Sequence, residues 1–171
     1  MTMPDERPPA GVRPALPVML RVVEVCREND EMVTVYLARA DEAEAAAMGL
    51  ELAAFVPGRF FMVWLPGLDE KPYAVSSLDA ERVGLTVQQR GPFSTAMGAL
   101  RPGERVGLRG PFGRGFWGLQ DHGDGGRVAL IGGGCGTGVV APMRELLPQA
   151  AVVQGSRTAG VVLRLPALDG Q

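Results

Sequence analysis

The sequence predicts a β plus α/β chain, a six-stranded antiparallel barrel followed by an incomplete parallel α/β unit, and three observations predict it. From Val18 to Arg109 short apolar segments alternate with turn residues, the signature of a small barrel or sandwich. Near Gly123 the character changes, through the glycine-rich HGDGG of His122 to Gly126. RVALIGGG then runs an apolar strand straight into glycines, the opening of a parallel α/β unit.

Segment 1–17 carries Pro4, Pro8, Pro9, Pro14 and Pro17 and lacks the apolar core of a signal peptide. It is read as a disordered arm. The barrel is assigned to residues 18–121. Its strands are expected at Met19–Cys26, Met32–Leu37, Arg59–Trp64, Tyr73–Ser76, Leu85–Gln89 and Arg105–Leu108, punctuated by Pro57-Gly58, Pro66-Gly67 and Pro102-Gly103. ADEAEAAAM, Ala40 to Met48, predicts an inserted surface helix, because alanine and glutamate favour helix and no broad apolar face asks for burial. A second short helix is expected over Ser94–Leu100, with Ser94 or Thr95 near its N-cap.

The second unit, residues 127–171, is expected to open with a strand at Val128–Ile131. A helix follows from Thr137 to Leu147, with Pro142 in its first turn or so, where proline is tolerated. Ala150 to Thr158 reads as the next strand and its loop. One βαβ unit cannot cover its own sheet. Uncovered apolar surface and poor solubility are therefore expected at Val128–Ile131 and Ala151–Gln154, and the chain is expected to be a fragment of a longer protein.

Composition narrows the functions. A net charge of −2 over 171 residues offers no electrostatic reason to expect a nucleic-acid partner. No apolar run is long enough to span a bilayer, and with no export signal read in the N-terminal segment a cytoplasmic location is expected. Cys26 and Cys135 are the only cysteines and His122 the only histidine, too few ligands for an iron–sulfur cluster or a structural zinc. Cys26 is read as a strand residue and His122 as a solvated linker residue. No catalytic acid, base or metal ligand is assigned.

Three segments carry chemistry. Lys71-Pro72-Tyr73-Ala74 puts a cation, an aromatic ring and a small residue in sequence along one strand, suited to a phosphate, a flat ring and close backbone approach. Gly91-Pro92-Phe93-Ser94-Thr95 follows a strand and precedes a helix, whose free N–H groups and dipole suit a phosphate. The preceding strand brings Val87 and Gln88 to the same site. Gly132, Gly133, Gly134, Cys135, Gly136, Thr137 and Gly138 sit between a strand and a helix, where glycines admit a dinucleotide pyrophosphate; the spacing is GxGxG without the full GxGxxG. Together these point to a flavin and a nicotinamide nucleotide. Gly110–Trp117 reads as a connector or a wall of the flavin pocket, Asp69 and Glu70 as turn acids, and Arg157 as a solvated residue or a nucleotide-phosphate contact.

Assembled in this order, the segments resemble the ferredoxin–NADP reductase superfamily, over about Val18 to Thr158. In that family an FAD-binding barrel precedes a nicotinamide domain, and the flavin motif Arg-x-Tyr-Ser/Thr corresponds to Lys71–Ala74. PGRFFMVWLPGLDEKPYAVSS, GPFST and GPFGRGF are most similar to the electron-transfer subunits of dihydroorotate dehydrogenases. The resemblance implies an oxidoreductase subunit, inactive alone, that binds FAD and takes NAD(P)H as substrate. It implies a catalytic FMN-containing partner subunit in pyrimidine biosynthesis. Hydrogenase- or sulfite-reductase-type subunits, or a non-catalytic flavin-binding fragment, are the alternatives. Lysine at 71 keeps the family's charge but loses the bidentate fork, and alanine at 74 removes a hydroxyl. The family's four-cysteine loop for a [2Fe–2S] cluster has no counterpart in this sequence.

Overall fold

The computed structural model describes residues 16–39, 57–78, 82–116, 128–165 and 168. The expected N-terminal arm up to residue 15, the Ala40–Met48 helix and the His122 linker lie outside the described residues. The six expected strands are present as β1 (Val18–Arg27), β2 (Met32–Ala38), β3 (Phe60–Leu65), β4 (Asp69–Ala74), β6 (Arg82–Gln88) and β7 (Arg105–Phe112). A seventh, β5, holds only Ser77 and Leu78, and two residues are too few to give a sequence pattern.

The sheet order is β4-β3-β7-β1-β2-β6-β5, and every pairing within it is antiparallel. Its two outer strands, β4 and β5, are consecutive in the chain. Val75 and Ser76 join them, so one edge of the sheet is tied covalently to the other. The inward residues alternate as half-buried strands require, with Leu20, Val22, Val35, Val63, Leu85 and Val106 all at most 1% exposed. The glycine of each Pro–Gly pair has positive φ, at 86° for Gly58, 80° for Gly67 and 97° for Gly103, the turn geometry those pairs signal.

β2 is buried on both faces. Val33, Val35 and Leu37 face the barrel core, while Met32 packs with Ala141, Leu163 and Leu165 of the second unit. That unit is a parallel pair, β8 (Ala129–Gly133) and β9 (Ala151–Gly155), joined through helix α2 (Thr137–Leu146). Val140, Met143 and Leu147 cover Leu130 on one face of the pair. The other face is open, with Ile131 72% and Val153 52% exposed and opposite each other in register. The uncovered apolar surface expected of these strands is therefore confined to one face.

One detail differs from expectation. Pro142 sits at the sixth position of α2 rather than in its first turn, so Gly138 C=O lacks its i+4 donor. The segment after Thr158, to which the sequence assigned no element, is packed. A short 3-10 turn at Ala159–Val161 leads Leu163 and Leu165, each 1% exposed, into the seam between α2 and the barrel. Asn29 Nδ2 donates to Val162 O at 3.3 Å and Gln154 Nε2 to Leu163 O at 2.8 Å, which ties this segment to both units.

Candidate functional site

β4 is an outer strand, where proline is admissible because no ladder bond is lost on its free side. Pro72 pairs with Met62 and Tyr73 with Phe61 of β3. Tyr73 is half-buried and stacks on Phe93 with ring centroids 6.0 Å apart and planes 18° from parallel. Burial pushes the Tyr73 phenol up, and Cys135 nearby adds to the shift. Lys71 pairs with Asp69 at 2.5 Å, both side chains about half exposed. That hydrogen bond holds the Asp69 carboxyl below the usual carboxylate range. Glu70 accepts two hydrogen bonds from Arg109, at 3.0 and 2.6 Å, which lower its carboxyl likewise. The two acids are thus engaged side chains.

Three residues separate the end of β6 from helix α1 (Pro92–Gly98). Its N-cap is Gly91, not Ser94 or Thr95, because Pro92 takes the first helical position. Ser94 is the third helical residue, and its Oγ accepts from Arg90 N and Gly91 N at 2.9 Å each. The hydroxyl is committed to the loop itself. Phe93 enters the core, and Val87 is fully buried there.

On the second unit, β8 ends at Gly133 and a 3-10 turn, Gly134–Gly136, leads into α2. Gly134 has φ +52°, which a glycine adopts without strain. A Cβ at Gly132 would stand 2.6 Å from Thr137 Cα, so no larger residue fits between the strand and the helix start. Thr137 is fully buried and its Oγ1 finds no hydrogen-bond partner among the described residues.

The two halves meet around one cavity of about 350 Å³. Pro72, Tyr73, Ala74 and Ser76 form its β4–β5 wall, and Thr86, Gln88 and Arg90 its β6 wall. Cys135, Gly136, Gly138 and Val139 close it from the glycine loop. Of the residues expected to bind cofactor, Pro72, Tyr73, Ala74, Gln88, Cys135 and Gly136 line this cavity. Lys71, Val87, Gly91, Phe93, Ser94, Thr95, Gly132, Gly133, Gly134 and Thr137 do not, although each adjoins a segment that does. Ser76, Thr86 and Arg90 were missed. Their signal was period-two spacing: Ala74 with Ser76, and Thr86 with Gln88 and Arg90, share a strand direction.

Beneath the cavity a chain of hydroxyls joins β2, β6 and the β4–β5 connection. Thr86 Oγ1 donates to Ser76 Oγ at 2.8 Å and Ser76 Oγ to Gly84 O at 3.1 Å. Since Thr86 has only one hydrogen, Thr34 is the donor in its 3.0 Å contact with Thr86. Gly138 lies directly over this chain, where a Cβ would meet Ser76 Cβ at 3.2 Å and Thr86 Cβ at 3.3 Å. Behind the β6 wall, the Glu31 carboxyl is held below its usual range, first by the Gln88 hydrogen bond and then by the charges of Arg157 and Arg90. Among the described residues no cluster of three or more metal-ligating side chains occurs, and no helix is long and apolar enough to cross a membrane.

No family model matches the chain. It is similar to the probable dihydroorotate dehydrogenase B (NAD(+)) electron transfer subunit of Pyrococcus abyssi, 34% identical over 106 residues, covering 61% of this chain and 39% of the relative. The corresponding subunit of Methanocaldococcus jannaschii is 29% identical over 153 residues, covering 87% of this chain and 51% of the relative. The chain thus spans about two-fifths to one-half of the length of these relatives. In fold it matches the ferredoxin–NADP+ reductase of Plasmodium falciparum, with TM-score 0.67 at 14% identity over 89% of this chain and 64% of that one. The fold is the ferredoxin–NADP reductase fold, with its barrel and the first part of its second unit.

Proposed function

We propose that this chain is the flavin-holding electron-transfer module of an oxidoreductase. In this reading it seats FAD against β4 and β6 and receives NAD(P)H at the Gly132–Thr137 loop. It serves a separate catalytic subunit, that of a dihydroorotate dehydrogenase in pyrimidine synthesis. The observation that carries the reading is the cavity where the Pro72–Ala74 strand and the Cys135–Gly138 loop converge, segments far apart in sequence. Its volume of about 350 Å³ lies at the lower end of the roughly 300–1,000 Å³ usual for ligand pockets.

When bound, FAD supplies the hydride- and electron-transfer chemistry. The chain binds and orients it. Tyr73 offers a flat half-buried surface, held at a fixed tilt by Phe93. Ala74 and Pro72 keep side-chain bulk small at the wall, and Pro72 offers no N–H there. Gln88 directs Nε2 to Glu31 and so keeps Oε1 as the group available to a ligand donor. Lys71 and the start of α1 suit the flavin phosphates. There the backbone acts rather than Ser94, whose hydroxyl is engaged. Gly138 lets the second unit lie close against Ser76 and Thr86, and the unpartnered Thr137 hydroxyl beside Gly132 suits a nucleotide oxygen.

The test is the visible spectrum of the chain reconstituted with FAD, before and after NADH without oxygen. Flavin bands that bleach are expected. Bands that persist would leave a flavin-holding module without hydride access, and a folded sample that retains no flavin would overturn the reading. Tyr73→Ala is expected to weaken FAD retention about tenfold by fluorescence titration, from loss of one stacking surface. Unchanged retention would remove Tyr73 from the site. A second reading keeps both nucleotides but changes the acceptor, and the fold shared with a ferredoxin–NADP+ reductase favours it. Adding a dihydroorotate dehydrogenase catalytic subunit separates the two, since only the first reading predicts a stable complex that passes electrons from NADH.

A further inference from the structure

One carboxylate joins three elements beside the cavity. Glu31 lies in the β1–β2 turn, where Asn29 Oδ1 accepts from both Glu31 N and Met32 N at 3.0 Å and fixes the turn. Glu31 Oε2 accepts from Gln88 Nε2 at 2.7 Å and from Arg90 Nη2 at 3.2 Å. Arg157 Nη2 donates to both Glu31 oxygens, at 2.9 Å to Oε1 and 3.2 Å to Oε2. Gln88 and Arg90 are cavity wall, whereas Arg157 belongs to the other unit, just past the end of β9.

The position after the second strand of a βαβ unit is where dinucleotide proteins tell a ribose 2′-hydroxyl from a 2′-phosphate. An acid there accepts from the hydroxyl, and an arginine there takes the phosphate. Arg157 alone would suit the phosphate. In this structure its guanidinium is already held by an acid reaching across from the barrel. A 2′-phosphate approaching Arg157 would also approach the Glu31 carboxylate, and like charges so placed are costly.

We infer that Glu31 is a specificity-determining residue, a barrel carboxylate that occupies Arg157 and so favours the unphosphorylated ribose of NADH over the 2′-phosphate of NADPH. The inference rests on the nicotinamide role proposed for the Gly132–Thr137 loop. The Glu31 and Arg157 side chains are 33% and 67% exposed, so salt weakens the effect.

Glu31→Gln keeps the size and an acceptor oxygen but removes the charge. The experiment measures binding of 5′-AMP and of adenosine 2′,5′-bisphosphate to the wild-type chain, Glu31→Gln and Glu31→Gln/Arg157→Met, by calorimetry at low ionic strength. The wild type is expected to bind 5′-AMP at least as tightly as the bisphosphate. Glu31→Gln is expected to shift the ratio about tenfold toward the bisphosphate. The added Arg157→Met is expected to cancel that shift. A ratio unmoved by Glu31→Gln while 5′-AMP still binds overturns the role of Glu31 and leaves the nucleotide reading standing. A wild-type preference for the bisphosphate overturns it as well. A folded, FAD-retaining chain that binds neither probe overturns the nicotinamide reading and this inference with it.

Discussion

The two cysteines, alike in the sequence, are chemically opposite in their places. Cys26 donates to Glu24 Oε1 at 3.0 Å, and that bond, partial burial and the Glu24 charge push its thiol up to about 11. Only the thiolate attacks an alkylating agent. Cys135 is exposed on the glycine loop and lines the cavity. At pH 8 iodoacetamide is expected to modify Cys135 well before Cys26, read by peptide mass mapping; comparable rates would contradict the environment assigned to Cys26. That Cys26 is a strand residue was legible from the alternation around it. Its protonation was not, because it depends on a neighbour two positions away turning its carboxylate back onto the sulfur. Ser94 shows the converse. Its residue type suggested a cap, yet Gly91-Pro92 just before it was the stronger signal, since proline prefers the first helical position.

At the scale of elements, the most constrained junction is that between β8 and α2. The strand must end within contact distance of Thr137, and glycine at 132 alone allows this. A Cβ there would overlap backbone, which cannot rotate away as a flexible side chain can. Gly132→Ala is expected to destabilise the chain by about 1–3 kcal/mol in urea unfolding, the usual range for forcing one extra carbon into a packed site. A loss below 0.5 kcal/mol, about the scatter of surface substitutions, would show the junction to be slack. This strand–glycine–helix order was readable, as were the barrel strands, because each element repeats its own period. The segment carrying Leu163 and Leu165 was not. It belongs to no regular element, and its alternation acquires meaning only once Met32 and Ala141 are in place to receive it.

For the whole molecule, what escaped the sequence was juxtaposition. Tyr73 and Cys135 were each marked by local chemistry, but Ser76, Thr86 and Arg90 became cavity wall only through the way β4, β5 and β6 meet the second unit. Short-range patterns report which side of a strand faces inward, and cannot report which strand will lie beneath which helix. The seam so formed has a property of its own in time. The hydrogens of Thr34, Thr86 and Ser76 each end on an acceptor, and the helix start at Gly138 lies over them. Ser76 and Thr86 border the cavity, but each of these hydrogens is hydrogen-bonded, so solvent takes them only when the bonded chain opens as helix and barrel separate. Hydroxyl protons in contact with water are averaged into its signal, whereas secluded ones keep resonances of their own. Resolved hydroxyl lines are therefore expected in the proton spectrum, and their rate of saturation transfer from water equals the rate at which the two units part. Their complete absence at low temperature would mean a seam that breathes faster than this packing permits. If they are present, the protein carries a built-in clock for its own opening, one that ligand in the cavity should slow.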